Sequence, residues 1–160
     1  MPDTALFRGH ILGFDFGFRR IGVAVGQFTT MTATSLETVA HGKTPDWAVI
    51  DRLVREWKPA LLLVGLPLAI NGDETDMSRA ARKFGTWLHD RYSLDVSFAD
   101  ERLSSRAAQS RFTELRAQGN LRKKHARQLD AMAAQIILES WLQSSPGEFS
   151  EKELPQERIK

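Results

Sequence analysis

Two strand patterns that lie close together near the N-terminus constrain the fold most strongly. Ile11–Phe16 and Ile21–Gly26 are apolar segments separated only by Gly17–Arg20, which leaves room for a short turn and nothing larger. Strands joined in this way pair antiparallel. Ser35–Ala40 reads as a third strand, so the chain is expected to begin with a meander.

After the meander, strand and helix patterns alternate. Apolar residues at helical spacing predict a helix over 47–57, and 60–64 is a continuously apolar run typical of a strand covered on both faces at the centre of a sheet. A second helical stripe runs over 77–88. The segment 94–99, which runs directly into Asp100 and Glu101, alternates between two faces, one apolar and one largely polar, and this indicates a strand nearer the edge.

The C-terminal part of the chain reads as helical. Ser104 or Ser105 can cap a helix that ends at Gly119, and a last helix is predicted from about Lys124 to Gln143. Residues 148–160 are predicted to form a disordered charged tail. The residues of the last helix predicted to face inward are Leu129, Ala133, Ile136, Ile137, Ser140 and Trp141.

This order of elements predicts an α/β fold with a mixed five-stranded sheet, an antiparallel meander followed by parallel strands, and helices on both faces. A chain of 160 residues with 42% hydrophobic content suits one domain, which we expect over 1–147. Without cysteine the chain has no disulfide and no thiolate metal site. It also lacks a membrane-spanning segment, so a cytoplasmic location is expected.

Three carboxylates stand out because of where the pattern puts them. Asp15 projects from a strand near mid-sheet, on the face opposite Phe14. Asp130 shares a helical face with Ala134, whose small side chain permits close approach. Glu101 directly follows the last strand and, if the alternation continues, leaves it on the face opposite Phe98.

If these three acids lie close together, the repulsion between their negative charges has to be offset. Two unit charges about 4 Å apart repel by roughly 4 kcal/mol at an effective dielectric constant near 20. A divalent cation removes the conflict, and ligands that offer only oxygen favour Mg²⁺ or Mn²⁺ over zinc.

The positive charge of the chain is concentrated in one segment. The whole chain carries a formal charge of +2, whereas 102–127 holds eight arginines and lysines against one acid, Glu114. Such a run is either a solvated helix face with a loop or a surface for a polyanion.

Four motifs together resemble the YqgF (RuvX) family of the ribonuclease H-like superfamily. They read ILGFDFGFRRIGVAVG, LLVGLPLAINGDETDMSRAARKFGTWL, DERLSS and LDAMAAQIIL, and the resemblance extends from about Ile11 to Leu142. It implies a ribonuclease H-like fold and nuclease chemistry with Mg²⁺, or Mn²⁺, held by Asp15, Glu101 and Asp130.

The resemblance also implies a substrate. It favours structured RNA, at the 5′ end of precursor 16S ribosomal RNA or on the ribosome, over Holliday junctions in DNA. The protein would act as a monomer or weak dimer. Residues expected to grip the phosphate backbone beside the metal are Arg20, Arg102, Ser104, Ser105, Arg106, Arg122, Lys123, Lys124 and Arg127.

The sequence departs from the family pattern at three places. In related junction resolvases the second acid ends the fourth strand, but here that place reads Val64-Gly65-Leu66-Pro67, so Glu101 has to substitute for it. Gly26-Gln27 replaces a common Ser-Asp, which puts any ancillary role of that acid in doubt. Ser104-Ser105 replaces Thr-Thr and retains the hydroxyls.

Two other classes of function are compatible with parts of the pattern. The chain could be a noncatalytic RNA-binding ribosome-assembly factor whose acids form a structural cluster. Sugar-kinase and actin-like ATPases share an Asp-x-Gly hairpin, but they combine two such domains, and this chain has room for one and no P-loop motif.

Overall fold

The computed structural model describes residues 9–101 and 123–144, with side chains of the second range from residue 129 onward. Five strands in these ranges form one sheet in the order β3-β2-β1-β4-β5. Their bounds are His10–Asp15 (β1), Arg20–Gln27 (β2), Thr32–Ala40 (β3), Leu61–Leu66 (β4) and Val96–Asp100 (β5). The helices of the described ranges are Trp47–Trp57 (α1), Asp76–Tyr92 (α2) and Lys123–Ser144 (α3).

The strand directions agree with the predicted mixed sheet. β1 pairs antiparallel with β2, and β2 pairs antiparallel with β3. On its other side β1 pairs parallel with β4, which pairs parallel with β5. The carboxyl ends of β1, β4 and β5 therefore meet at one edge of the sheet.

Helices cover both faces of the sheet, as predicted. Ile50 of α1 and Phe84 of α2 pack with Leu12 and Phe14 on one face. On the opposite face, buried residues of α3 pack against the alternate residues of the same strands, such as Ile11. Because successive strand residues point to opposite faces, β1 supplies both cores.

Two details of the prediction are wrong. The central strand is β1 and not β4. A continuously apolar run shows only that a strand is buried on both faces, and every interior strand of such a sheet is buried in that way. On α3, Ile137 and Trp141 are buried as predicted, but Leu129, Ala133, Ile136 and Ser140 are only partly buried. The other fully packed residues of α3 are Ala131, Ala134, Leu138 and Leu142.

Glycines on the sheet explain which face of α3 is buried. A Cβ atom at Gly13 or Gly26 would lie about 3 Å from side-chain atoms of Leu138. The missing side chains therefore leave the space that Leu138 fills. The predicted helix after Ser104 or Ser105, the domain end at 147 and the tail over 148–160 lie outside the described residues.

No helix in the described ranges is long and apolar enough to cross a membrane.

Candidate active site

Asp15 and Glu101 lie at strand ends on the same edge of the sheet, on the face that α3 covers. Asp15 is the last residue of β1, and Glu101 follows the end of β5, two strands away in the sheet. Their side chains share a hydrogen bond. A hydrogen bond between two carboxyl groups requires a proton on one of them, so this contact favours retention of a proton by the pair.

Burial and mutual repulsion disfavour full ionisation of this pair. Burial raises the pKa of Asp15 well above its usual range, and the negative charges of Glu101 and Asp130 raise it further. The pKa of Glu101 is raised as well, by burial first and by the charge of Asp100, although its hydrogen bond with Asp15 acts in the opposite direction. Carboxyls that hold protons above their usual pKa are typical of functional sites.

Gly65 of β4 provides the space for the Glu101 carboxyl. A Cβ atom at Gly65 would lie 2.8 Å from Oε2 of Glu101 and 3.2 Å from its Cγ. Oε2 is buried at this position. Glu101 therefore occupies the volume that a side chain on β4 would take, which fits the expectation that it replaces an acid missing from that strand.

Asp130 approaches the same edge from α3, over the β2 strand. Its main-chain carbonyl oxygen lies directly against Gly22, at a position where a Cβ atom would collide with it. Gly22 is the β2 partner of Asp15 in the sheet, so this contact places the Asp130 backbone beside the strand end that carries Asp15. The negative charge of Asp130 is close enough to raise the pKa of Asp15.

The Asp130 carboxylate, however, is bound by Arg20. Nε of Arg20 donates a hydrogen bond of 2.6 Å to Oδ2 of Asp130, and both side chains remain partly exposed. Arg20 was predicted to contact phosphate, whereas here it neutralises the third acid. The raised pKa of the pair and the guanidinium of Arg20 thus both reduce negative charge where the sequence predicts a cation.

The three carboxylates offer suitable donors for a divalent cation, but they are not arranged around one point. Within 9–101 and 129–144 no group of three or more His, Asp or Glu side chains is drawn together tightly enough to hold a metal ion. The physical reason is that Asp130 is engaged with Arg20 while Asp15 and Glu101 are bound to each other. The chemistry of the donors nevertheless fits, since all three are carboxylates, the ligands that Mg²⁺ and Mn²⁺ prefer.

Most of the predicted phosphate contacts cannot be placed. Arg102, Ser104, Ser105, Arg106 and Arg122 lie outside the described residues. Lys123, Lys124 and Arg127 begin α3, but their side chains are not among those described.

Gln27 lies at the opposite end of the sheet from the acids. Its amide is 2.9 Å from Nε2 of His10, its β1 partner, whereas Asp15 pairs with Gly22. His10 and Asp15 lie five positions apart on β1, a distance of about 17 Å along the strand. The departure from the family at Gln27 therefore does not touch the acidic pair.

Sequence reasoning missed two contributors to this edge, Gly65 and Phe18. A glycine inside a buried strand can signal that another group approaches closely, and Gly65 had that signal. Phe18 lies in the turn between β1 and β2 and is 53% exposed. No pattern in the sequence distinguishes it from its buried neighbours Phe14 and Phe16.

A family model described as "RuvX: Holliday junction resolvase" matches residues 9–144. A curated relative from Legionella pneumophila subsp. pneumophila is 46% identical over 139 residues, which cover 86% of this chain and 98% of the relative. Another relative, from Nitrosococcus oceani, is 48% identical over 133 residues, and this matched stretch covers 82% of this chain and 85% of the relative. Both carry the name "Putative pre-16S rRNA nuclease".

A solved structure shares the fold at much lower identity. The chain described as "T. thermophilus RuvC in complex with Holliday junction substrate" superposes with a TM-score of 0.53 at 15% identity, over 87% of this chain and 96% of the other. This likeness confirms the predicted ribonuclease H-like architecture.

Proposed function

Since the chain belongs to the RuvX family and is a nuclease, we propose that it processes the 5′ end of precursor 16S ribosomal RNA by metal-dependent hydrolysis. The proposed catalytic and metal-binding residues are Asp15, Glu101 and Asp130. The observation that carries the proposal is that the three acids approach one edge of the sheet: Glu101 lies over Gly65 beside Asp15, and the Asp130 backbone lies against Gly22, the β2 partner of Asp15.

On binding a cation, the three acids would give up the interactions they make with each other and with Arg20. Mg²⁺ or Mn²⁺ would replace the proton that Asp15 and Glu101 share, because a divalent cation compensates both carboxylates at once. Asp130 would complete the donor set after its carboxylate leaves Arg20, and both side chains are exposed enough to move, at 30% and 40%. The cation, when bound, would stabilise the charge that develops on the phosphate and favour loss of a proton from the attacking water.

Arg20 then becomes available for a second task. A guanidinium released from Asp130 at the edge of the site can donate paired hydrogen bonds to a phosphate of the substrate. This restores the role that the sequence predicts for Arg20, but only in the state with cation and nucleic acid bound.

The RNA substrate is favoured by the relatives' names. Two relatives that are 46% and 48% identical are named for pre-16S rRNA, and each covers more than four fifths of this chain. We accordingly propose a cytoplasmic protein that acts on precursor rRNA or on the ribosome as a monomer or weak dimer.

The test offers purified protein a precursor RNA that spans the 5′ end of 16S rRNA, with Mg²⁺, with Mn²⁺ or with EDTA. We expect cation-dependent cleavage that Asp15→Asn, Glu101→Gln and Asp130→Asn each abolish. Gln27→Ala, a change about 17 Å away along the sheet, serves as the matched control and should cut at the wild-type rate. Cleavage that persists in Asp15→Asn would contradict the proposal.

A four-way DNA junction in parallel reactions tests the family description. A resolvase has to make two symmetric cuts and so needs a symmetric dimer with two sites. If a dimer cuts the junction and leaves the precursor RNA intact, the proposed function would be Holliday-junction resolution and not RNA processing.

A further inference from the structure

We infer that Phe18 forms a stacking platform for an unpaired nucleobase of the substrate, next to the acidic pair. The inference rests on the proposed function, because it assumes that nucleic acid is bound at this edge. Phe18 and Ile70 are the large hydrophobic residues exposed in the described ranges, at 53% and 97%. Phe18 alone is aromatic and lies in the turn that immediately follows Asp15.

The turn that carries Phe18 is fixed by several contacts. Nδ1 of His41 donates a 2.7 Å hydrogen bond to the carbonyl oxygen of Gly17, and the His41 amide donates to the carbonyl of Arg19 at 3.0 Å. At Gly17 a Cβ atom would lie 2.6 Å from the carbonyl oxygen of Arg20. The backbone on both sides of Phe18 is therefore held in place.

The ring of Phe18 is supported from the protein side. The buried ring of Phe16 meets it edge to face with centroids 6.1 Å apart, and Phe16 itself packs on Phe84 and on the His41 ring. This support orients Phe18 without covering it. A preorganised aromatic surface loses little conformational entropy when a planar ligand stacks on it.

The charges around Phe18 identify the ligand. The exposed Arg19 follows it directly in the turn, and Arg20, whose guanidinium would be released from Asp130 in the proposed active state, begins β2 immediately afterwards. Bases stack on aromatic rings while cations hold the backbone in single-strand binding sites. A protein partner is a poorer fit, because an interface needs about 800 Å² on each side and one exposed ring supplies a small part of that.

The distance to the acids suits a nucleotide near the cut. Phe18 lies three positions after Asp15 in the chain, which limits the separation of their Cα atoms to about 11 Å. A stacked strand rises about 3.4 Å per nucleotide, so a base on Phe18 would lie within roughly three nucleotides of a phosphate at Asp15. Bases inside a duplex have both faces covered, and the platform therefore selects an unpaired one.

The experiment compares binding to a blunt RNA hairpin and to the same hairpin with a single-stranded extension that carries 2-aminopurine. All proteins carry Asp15→Asn, so that the RNA stays intact in Mg²⁺. We expect tighter binding of the extended hairpin and quenching of 2-aminopurine by stacking. Phe18→Leu should remove the quenching and weaken binding of the extended hairpin by about 5- to 150-fold, the range seen for loss of one stacked base.

Two control variants separate stacking from general loss of structure or apolar surface. Phe18→Trp should retain the preference and the quenching, and Ile70→Ala should behave as the parent. An extension made of DNA tests whether the base alone suffices or the 2′-hydroxyl contributes, and loss of binding in Phe18→Leu supports the inference in either case.

Three results would overturn the inference or its premise. Unchanged preference and quenching in Phe18→Leu would show that the ring does not stack on a base. An equal loss for blunt and extended hairpins would assign Phe18 to general binding. If no variant binds either hairpin while all remain folded, the proposed RNA function itself fails, which is a separate result.

Discussion

Arg20 and Asp130 form an ion pair across the sheet and helix, with Nε of the arginine 2.6 Å from Oδ2 of the aspartate. This contact joins the first residue of β2 to α3 at the edge where Asp15 ends β1. The guanidinium charge repels a cation at this edge, and its hydrogen bond occupies an Oδ2 lone pair that a metal ion would otherwise use. Arg20 is therefore a competitor of any cation that binds the acids.

Removal of Arg20 should strengthen cation binding. In Arg20→Ala the Asp130 carboxylate is released and a positive charge disappears from the site, so we expect Mn²⁺ to bind about 3- to 10-fold more tightly, or roughly 0.6–1.4 kcal/mol. Electron paramagnetic resonance of bound Mn²⁺ measures the affinity without cleavage. Arg19→Ala removes the neighbouring exposed charge and should change it less. Weaker binding in Arg20→Ala would mean that Arg20 positions Asp130 for the metal.

Asp15→Asn should abolish cleavage and yet stabilise the metal-free protein at neutral pH. The raised pKa makes the folded chain keep a proton that the unfolded chain has lost, so wild-type stability falls as pH rises above about 4 through the folded pKa. Asparagine has no such proton to lose and can still donate a hydrogen bond to Glu101. We expect a Tm about 2–4 °C higher than wild type, the shift that about 1 kcal/mol gives in a chain of this length.

Thermal unfolding in EDTA between pH 4 and pH 8 measures this difference. The advantage of Asp15→Asn should shrink towards pH 4, where the unfolded wild type begins to bind the proton that the folded state already holds. A variant that is less stable than wild type at pH 8 would show that the pair is not the source of the raised pKa.

Gly65→Ala should reduce activity more than stability. The new Cβ would lie 2.8 Å from Oε2 of Glu101, the end of a flexible side chain that can turn aside. The Glu101 carboxyl would then move away from Asp15, and a displacement near 1 Å can cost up to about 100-fold in rate. Gly42→Ala is the matched control, because its Cβ would have no neighbour within 4 Å. Wild-type cleavage by Gly65→Ala would exclude Glu101 from the reaction.

Gly22→Ala should instead loosen α3. Here the Cβ would collide with the main-chain carbonyl of Asp130, which cannot turn aside without moving the helix. We expect a loss of about 1–3 kcal/mol in the free energy of unfolding, as for other overpacked positions. Urea unfolding gives the loss, and hydrogen exchange should locate faster opening in α3. An unchanged midpoint would argue against close packing of α3 on β2.

The ion pair and hydrogen bonds of Asp51 between α1 and α2 should weaken as the pH falls. Asp51 accepts two hydrogen bonds of 2.8 Å from Arg91 and one of 2.6 Å from the Tyr92 hydroxyl, which lower its pKa to about 2. This stabilisation is complete above about pH 4 and is lost as pH falls towards 2. Because Asp51 is 29% exposed, Asp51→Asn should cost less than about 1 kcal/mol.

Urea unfolding of wild type and Asp51→Asn at pH 7 and pH 3 measures how much the Asp51 interactions contribute to the free energy of unfolding. The difference between them should be smaller at pH 3, and a difference that grows in acid would contradict the assignment.

The strands of the sheet, and the face of the sheet on which Asp15 and Glu101 lie, were largely predictable, because side chains along a strand point alternately to its two faces. The face of Asp15 follows from its place opposite Phe14, and the face of Glu101 follows in the same way from Phe98. Both inferences need only the two-residue period of a strand. The partners of those acids were not predictable, since a hydrogen bond between distant carboxyls depends on the packing of the whole domain.

The helix α3 was harder to read for a different reason. Apolar residues surround most of its circumference, so helical period alone does not identify the buried side. What decides is the row of glycines beneath it, where Leu138 fills the space over Gly13 and Gly26. That information lies in strands more than a hundred residues away.

Arg20 and Asp130 are 110 positions apart in the chain, and the acids they accompany come from its first strand and its last described helix. During synthesis, a ribosome therefore releases nearly the entire domain before the acidic site can assemble. A nascent chain that lacks α3 would have no Asp130 beside Asp15, so the three acids come together only after α3 has been synthesised.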